Sequence, residues 1–186
     1  MRRQAAVFFA IALLGAGLDL LTKELAFREG PDSSEVTVID GFFSVGHTTN
    51  RGVVFGQFGQ APKLWLVVSI AAVPAIVLIF LAGRRPKGWV QTITLGMILA
   101  GTLGNMVDRI AYGAVRDFIK FYYRTGAGIE KPWPLFNLAD SFICVGVFLL
   151  SIEMMFFDEK KEAPQSSAVP DKAPAVAPAP PPPAAP

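Results

Sequence analysis

Two stretches of the chain repeat one pattern, an asparagine followed three residues later by an aspartate: Asn105–Asp108 and Asn137–Asp140. Asp19 stands four residues before Lys23, and Asp117 lies between the two repeats. Carboxyl groups can hold, deliver and remove protons, and a nearby amide can hold a carboxyl by donating to it. Other reactive residues are scarce. One histidine, His47, and one cysteine, Cys144, exclude a disulfide framework and argue against a zinc site. They also remove the usual base for Ser-His or Cys-His catalysis, leaving Ser141 without an activator. If this chain does acid–base chemistry, carboxylates do it, with no metal and no cofactor expected. Cys144 reads as a small packing residue and His47 as a loop residue.

The elements that must position these groups are membrane spans. The 186 residues are 52% hydrophobic, and the apolar residues come in long uncharged blocks. Mean hydropathy is +0.44. Four blocks approach the roughly 20 residues that a helix needs to cross a bilayer: about 4–25, 64–82, 89–108 and 136–157. Pro74 lies within the second, where membrane helices tolerate proline. The first block is read as a span rather than a cleaved leader, since Asp19 and Lys23 occupy the place of a cleavage site and three more spans follow. A net charge of +2 with scattered Lys and Arg gives no basis for nucleic-acid binding. Arg2 and Arg3, the short GRRPKG connection with Arg84, Arg85 and Lys87, and Lys160 with Lys161 all fall on one side of a four-span hairpin. The positive-inside rule makes that side, and both termini, cytoplasmic.

The fold expected is mainly α and integral to the membrane. Residues 36–58 carry β-branched and aromatic residues with turn signals at Asp40-Gly41 and Asn50-Arg51-Gly52, which predicts a small extracytoplasmic sheet between spans one and two. Residues 112–134 read as an interfacial element between spans three and four, with Trp133 near its end. Residues 1–160 form the membrane domain, and 161–186 a disordered Pro/Ala-rich cytoplasmic tail. On this topology Asp19, Lys23, Asn105, Asp108, Arg109, Asp117, Asn137 and Asp140 all reach the outer face. Gly96, Ala100, Gly104 and Asp108 recur every four residues, a small-residue stripe that aims Asp108 at a neighbouring helix. Asp19 and Lys23 read as an ion pair. Asp108, beside Arg109, is suited to holding a site together. Asp117 and Asp140 remain, although charge arguments alone leave other pairings open.

The chain resembles the lipoprotein signal peptidases, also called signal peptidase II, membrane aspartyl proteases of bacteria. Five stretches carry the resemblance: DLLTK (19–23), NRGVVFG (50–56), GTLGNMVDR (101–109), GAVRDF (113–118) and FNLADS (136–141). It implies an endopeptidase of the inner membrane, active near the outer leaflet, that cleaves prolipoproteins before a diacylglyceryl-modified cysteine. It implies Asp117 and Asp140 as the catalytic pair. It also implies substrate-binding or site-supporting roles for Asp19, Lys23, Asn50, Gly52, Asn105, Asp108, Arg109 and Asn137. The expected partners are lipid-modified prolipoproteins and membrane lipid, with the enzyme a monomer. Leu20, where the family often has Gln, and Val53-Val54, where it often has Ala-Ala, depart from its pattern. Two rivals are a transporter, which would need acids along a route through the membrane, and a relative that binds lipidated peptides without cutting them.

Overall fold

A computed structural model describes residues 2–28, 35–52, 62–82 and 88–157. The elements run α1 (Arg2–Ala26), β1 (Val36–Ile39), β2 (Phe43–Asn50), α2 (Pro62–Ala82), α3 (Trp89–Tyr112), β3 (Val115–Arg124), β4 (Glu130–Pro132) and α4 (Leu138–Phe157). All four helices are long and apolar enough to cross a membrane. Their bounds differ from the expected spans by a few residues, most at the C-terminal end of α3. The tail expected at 161–186, the GRRPK segment (83–87) and Val53-Val54 lie outside the described residues.

The hub is α3. Of its apolar span 56% is buried, against 22% for α1 and 11% each for α2 and α4. Helices in lipid gain little from apolar burial and associate by close packing instead. The small-residue stripe provides that closeness, and it faces α1. A Cβ added to Gly96 would come 3.1 Å from Ile11, and one added to Gly104 would overlap the Asp19 carboxylate. A second set of small contacts joins α3 to α4: a Cβ on Gly101 would overlap the Ala139 carbonyl oxygen. Toward the other end of the bundle Phe8, Ala12, Ile76, Phe80, Leu95 and Leu99 pack as an apolar core, with Phe8 and Phe80 stacked at 4.0 Å. Polar groups and apolar core therefore occupy opposite ends of the bundle.

The four strands make one antiparallel order, β1-β2-β3-β4. The connection between α3 and α4, expected as an interfacial element, supplies half of this sheet. Its alternating aromatic and β-branched residues suit a pleated surface. Two features aim the sheet at the helices. Gly113 ends α3 in the left-handed region (φ 68°) and donates to Arg109 O, so the chain reverses into β3 at once. Phe136, just before α4, pairs with Ile119 of β3 through Phe136 N–H to Ile119 O and Ile119 N–H to Phe136 O. These contacts bring Asp117, on β3, beside Asn137 at the start of α4.

His47 lies on β2 rather than in a loop. Its Nε2 is 2.6 Å from Ala26 O, and its ring meets Phe27 edge-on. Cys144 is exposed on α4 and not a packing residue.

Candidate active site

Three helix ends and two strands meet where the sheet joins the bundle. Asp19 and Lys23 come from α1, Asn105, Asp108 and Arg109 from α3, Asn50 from β2, Asp117 from β3, and Asn137 and Asp140 from the start of α4. Asp19, Lys23, Asp108 and Asn137 are wholly buried, and Asn105 and Asp117 nearly so. Asp140 is only partly buried, so one edge of the cluster is open.

The charged half of the cluster is fully paired, as burial requires. The Lys23 ammonium donates to Asn105 Oδ1 at 3.0 Å and forms ion pairs with Asp19 Oδ2 at 2.8 Å and Asp108 Oδ2 at 3.3 Å. The sequence paired Asp108 with Arg109; the structure pairs it with Arg116. Arg116 Nη2 and Nε donate to Asp108 Oδ1 at 2.9 and 3.1 Å, and the Arg116 N–H donates to Oδ2 at 2.9 Å. The reversal at Gly113 makes this possible, because it folds the start of β3 back against the last turn of α3. Arg116 also reaches Glu24, so it turns away from the neighbouring Asp117. Sequence reasoning did not mark Arg116 as the partner of Asp108, nor Glu24 as a neighbour of the site. The reversal signal at Gly113 could have found Arg116, whereas nothing marked Glu24.

Arg109 serves differently. It donates to Ser69 Oγ on α2 (3.3 Å), to Asn105 O and to Gly52 O (3.4 Å each). Among the described residues it bonds only neutral oxygens. It ties the end of β2 to α2 and α3. Ser69, a buried hydroxyl in an apolar helix, is a site neighbour that sequence reasoning missed.

The other half of the cluster holds two carboxyls. Asn137 is the N-cap of α4 and not, as its spacing suggested, a helical residue sharing a face with Asp140. Its Oδ1 accepts from the Asp140 N–H (2.9 Å), and its own N–H donates back to Asp140 Oδ2 (3.2 Å). This is the reciprocal capping box, with Asn and Asp in its two places. The same residue donates through Nδ2 to Asp117 Oδ1 at 2.7 Å. One asparagine thus holds both carboxyls. Asn50 Nδ2 donates to Asp117 Oδ2 (3.2 Å), and Asn105 Nδ2 to Asp140 Oδ1 (2.8 Å). Asp19 caps α4 from another helix, accepting the Ala139 N–H at 2.8 Å. Burial first, and the Asp140 charge second, raise the Asp117 carboxyl from 3.8 to about 7; the Asn50 and Asn137 amides and the Lys23 charge pull the other way. No three His, Cys, Asp or Glu side chains among the described residues stand where they could share a metal ion.

Comparison with known proteins meets this geometry. The family model for signal peptidase (SPase) II, Peptidase_A8, matches residues 11–156. The chain belongs to the signal peptidase II family. Curated relatives include the lipoprotein signal peptidase of Geobacter sulfurreducens, 36% identical over 85% of this chain and 96% of that one. That of Maridesulfovibrio salexigens is 38% identical over 76% of this chain and 90% of the relative. Two solved structures described as a bacterial membrane enzyme are 25% identical and cover 85% and 82% of this chain and 93% and 94% of theirs. Their TM-scores are 0.73 and 0.69. Family membership makes this chain a multi-pass bacterial membrane peptidase, and all ten site residues expected of the family fall within the described cluster or at its edge.

Proposed function

We propose that the protein removes signal peptides from prolipoproteins, cleaving before a diacylglyceryl-modified cysteine with Asp117 and Asp140 as an aspartyl dyad. The observation that carries this reading is the single asparagine, Asn137, that bonds both carboxyls, one buried and one part-open.

The two carboxyls have different surroundings, which favours different roles. Asp117 is raised to about 7, so it holds the shared proton near neutral pH. Asp140 accepts from two N–H groups at the first turn of a helix, donors that suit an anion. Asp140 therefore takes a proton from water, whose oxygen attacks the scissile carbonyl carbon. Asp117 gives its proton to the carbonyl oxygen, and a tetrahedral diol results. Collapse of the diol breaks the C–N bond, and a proton passes to the leaving amine. The products are the signal peptide carboxylate and a peptide beginning with the lipidated cysteine. The dyad, once reset, shares one proton as before.

The placement suits such a substrate. The diacylglyceryl chains stay in the hydrocarbon while the peptide bond lies near the headgroups, and the cluster sits where four spans give way to a sheet. Tyr123 on β3, Phe42 and Ile129 in the turns between strands, and Trp133 after β4 stand exposed, as residues at a membrane interface do. The basic flanks Arg2 and Arg3 stand at the opposite end of α1, which supports cytoplasmic termini and a site at the outer leaflet.

The test uses purified protein in lipid nanodiscs and one prolipoprotein peptide with and without its diacylglyceryl group. Mass spectrometry is expected to find one cut, before the cysteine, in the lipidated peptide alone. Equal cutting of both peptides would refute lipid-directed cleavage. Ion flux through liposomes without any cutting would favour the transporter reading.

A further inference from the structure

Lys23 takes no part in the proton transfers above, yet its ammonium is sealed completely inside the protein. Its field balances Asp19, which would by itself be a structural reason to keep it. The geometry around Asn105 gives it a second task. Asn105 Oδ1 accepts from Lys23 Nζ at 3.0 Å and from Asn137 Nδ2 at 3.1 Å. That leaves Asn105 Nδ2 to face Asp140, to which it donates at 2.8 Å. Turning this amide over would set its oxygen against the Asp140 carboxylate and its NH2 against the Lys23 ammonium. Both contacts would change from attraction to repulsion.

We propose that Lys23 is a positioning residue for the reaction: by donating to Asn105 Oδ1 it fixes which end of that amide faces Asp140, and so fixes the carboxylate that activates water. The inference rests on the dyad reading given above. Its logic is local. Asp108 has three further donors, all from Arg116, and Asp19 has the Ala139 N–H. Among the described residues Asn105 Oδ1 has only Lys23 and Asn137, and Asn137 already divides two amide protons among Asp117, Asn105 and the Arg116 carbonyl. Without Lys23 the oxygen end of the amide is held by one shared bond, and the preference for this orientation weakens to what the Asn137 and Asp140 contacts supply.

Lys23→Met alone would strand the Asp19 charge, so the informative variant is Asp19→Asn together with Lys23→Met. Asn at position 19 keeps an Oδ1 for the Ala139 N–H, and the remaining Asp108–Arg116 pair stays neutral. The double variant is expected to insert and melt much as the wild type does. Its kcat is expected to fall about ten- to hundredfold, as for a misplaced reacting group, with KM little changed. The alkaline limb of its pH profile is expected to move upward, because the Lys23 charge no longer draws Asp117 down. A folded double variant with wild-type kcat and an unmoved pH profile overturns the proposal.

If the double variant does not fold, the wild-type protein labelled with nitrogen-15 at asparagine decides. Asn105 side-chain NH2 signals that exchange slowly with water and shift as the dyad titrates are expected. Signals that exchange freely, or that do not move, overturn the proposal. The layers fail separately. Should Asp117→Asn and Asp140→Asn abolish cutting while the double variant cuts normally, only this inference falls. Should the wild type cut no lipidated peptide, the reading beneath it falls.

Discussion

At the scale of single residues, the central asymmetry is between two carboxyls with unlike surroundings. Asp117 has its proton held to about pH 7, whereas the unfolded chain releases it near 3.8. The folded state therefore binds that proton more tightly. Its contribution to stability is complete below the unfolded value and is lost as pH rises through about 7. Asp117→Asn cannot ionise, and it is expected to be the more stable protein at pH 8. The difference is on the order of 2–4 kcal/mol at about 1.4 kcal/mol per pKa unit. Thermal melts across pH check this. A variant less stable than wild type at pH 8 would contradict the protonation assigned to Asp117. Asn137 allows a cleaner separation of cap from site. Asn137→Asp keeps a capping oxygen, so any loss of stability beyond the roughly 1 kcal/mol of an N-cap reports the buried acid and not the cap. It also replaces the amide that donates to Asp117 with a third acid, so cleavage is expected to drop at least a hundredfold. Assays of melting and cleavage on one preparation distinguish the two roles. At this scale the sequence was informative about membership and less so about pairing. Asn105, Asp108, Asn137 and Asp140 were recognisable by their spacing. The partner of Asp108 was not, because proximity in sequence favoured Arg109 while the left-handed Gly113, three residues before Arg116, brought Arg116 round instead.

At the scale of elements, the site depends on how closely α1, α3 and α4 approach. The four-residue stripe on α3 was legible, and so was its aim at another helix. Which helix it met was not, since α1 and α4 are similarly apolar; the contacts of Gly96, Ala100 and Gly104 with Ile11, Gly15 and Asp19 identify α1. The sheet was half legible. Turn signals marked β1 and β2, whereas the aromatic and basic residues of 112–134 suited an interface helix as well as a strand. Pairing with β2 settled the strand, with Thr48 opposite Asp117 and Asn50 opposite Val115. This register brings Asn50 within reach of Asp117. Gly104→Ala tests the helix contact. The added methyl would push against the Asp19 carboxylate, and a destabilisation of about 1–3 kcal/mol is expected, with cleavage reduced in step. Gly17 faces open space, so Gly17→Ala is expected to be neutral or stabilising by up to about 1 kcal/mol. Melting temperatures of the two variants provide the check, and equal effects would remove the case for close α1–α3 approach.

At the scale of the whole molecule, the division of labour follows from the solvent. The apolar core around Phe8, Phe80, Leu95 and Leu99 fills one end of the bundle, and the polar cluster fills the end that meets the sheet. Charges are tolerated there because Asp19, Lys23, Asp108 and Arg116 pair with one another and because Asp140 is left part-open. Hydropathy and the order of spans were enough to foresee that separation. The depth of each carboxyl was not foreseeable, because it depends on the sheet folding over the helix ends. The account as a whole turns on the claim that Asp117 and Asp140 act together on one water. The most direct measurement is single-turnover cleavage of a lipidated prolipoprotein peptide in nanodiscs by wild type, Asp117→Asn and Asp140→Asn, with folding of each confirmed by melting. The account predicts that the wild type cuts once before the cysteine and that both variants, folded, lose at least a thousandfold, within the range that paired catalytic groups show. A folded variant of either residue that cut at the wild-type rate would contradict it.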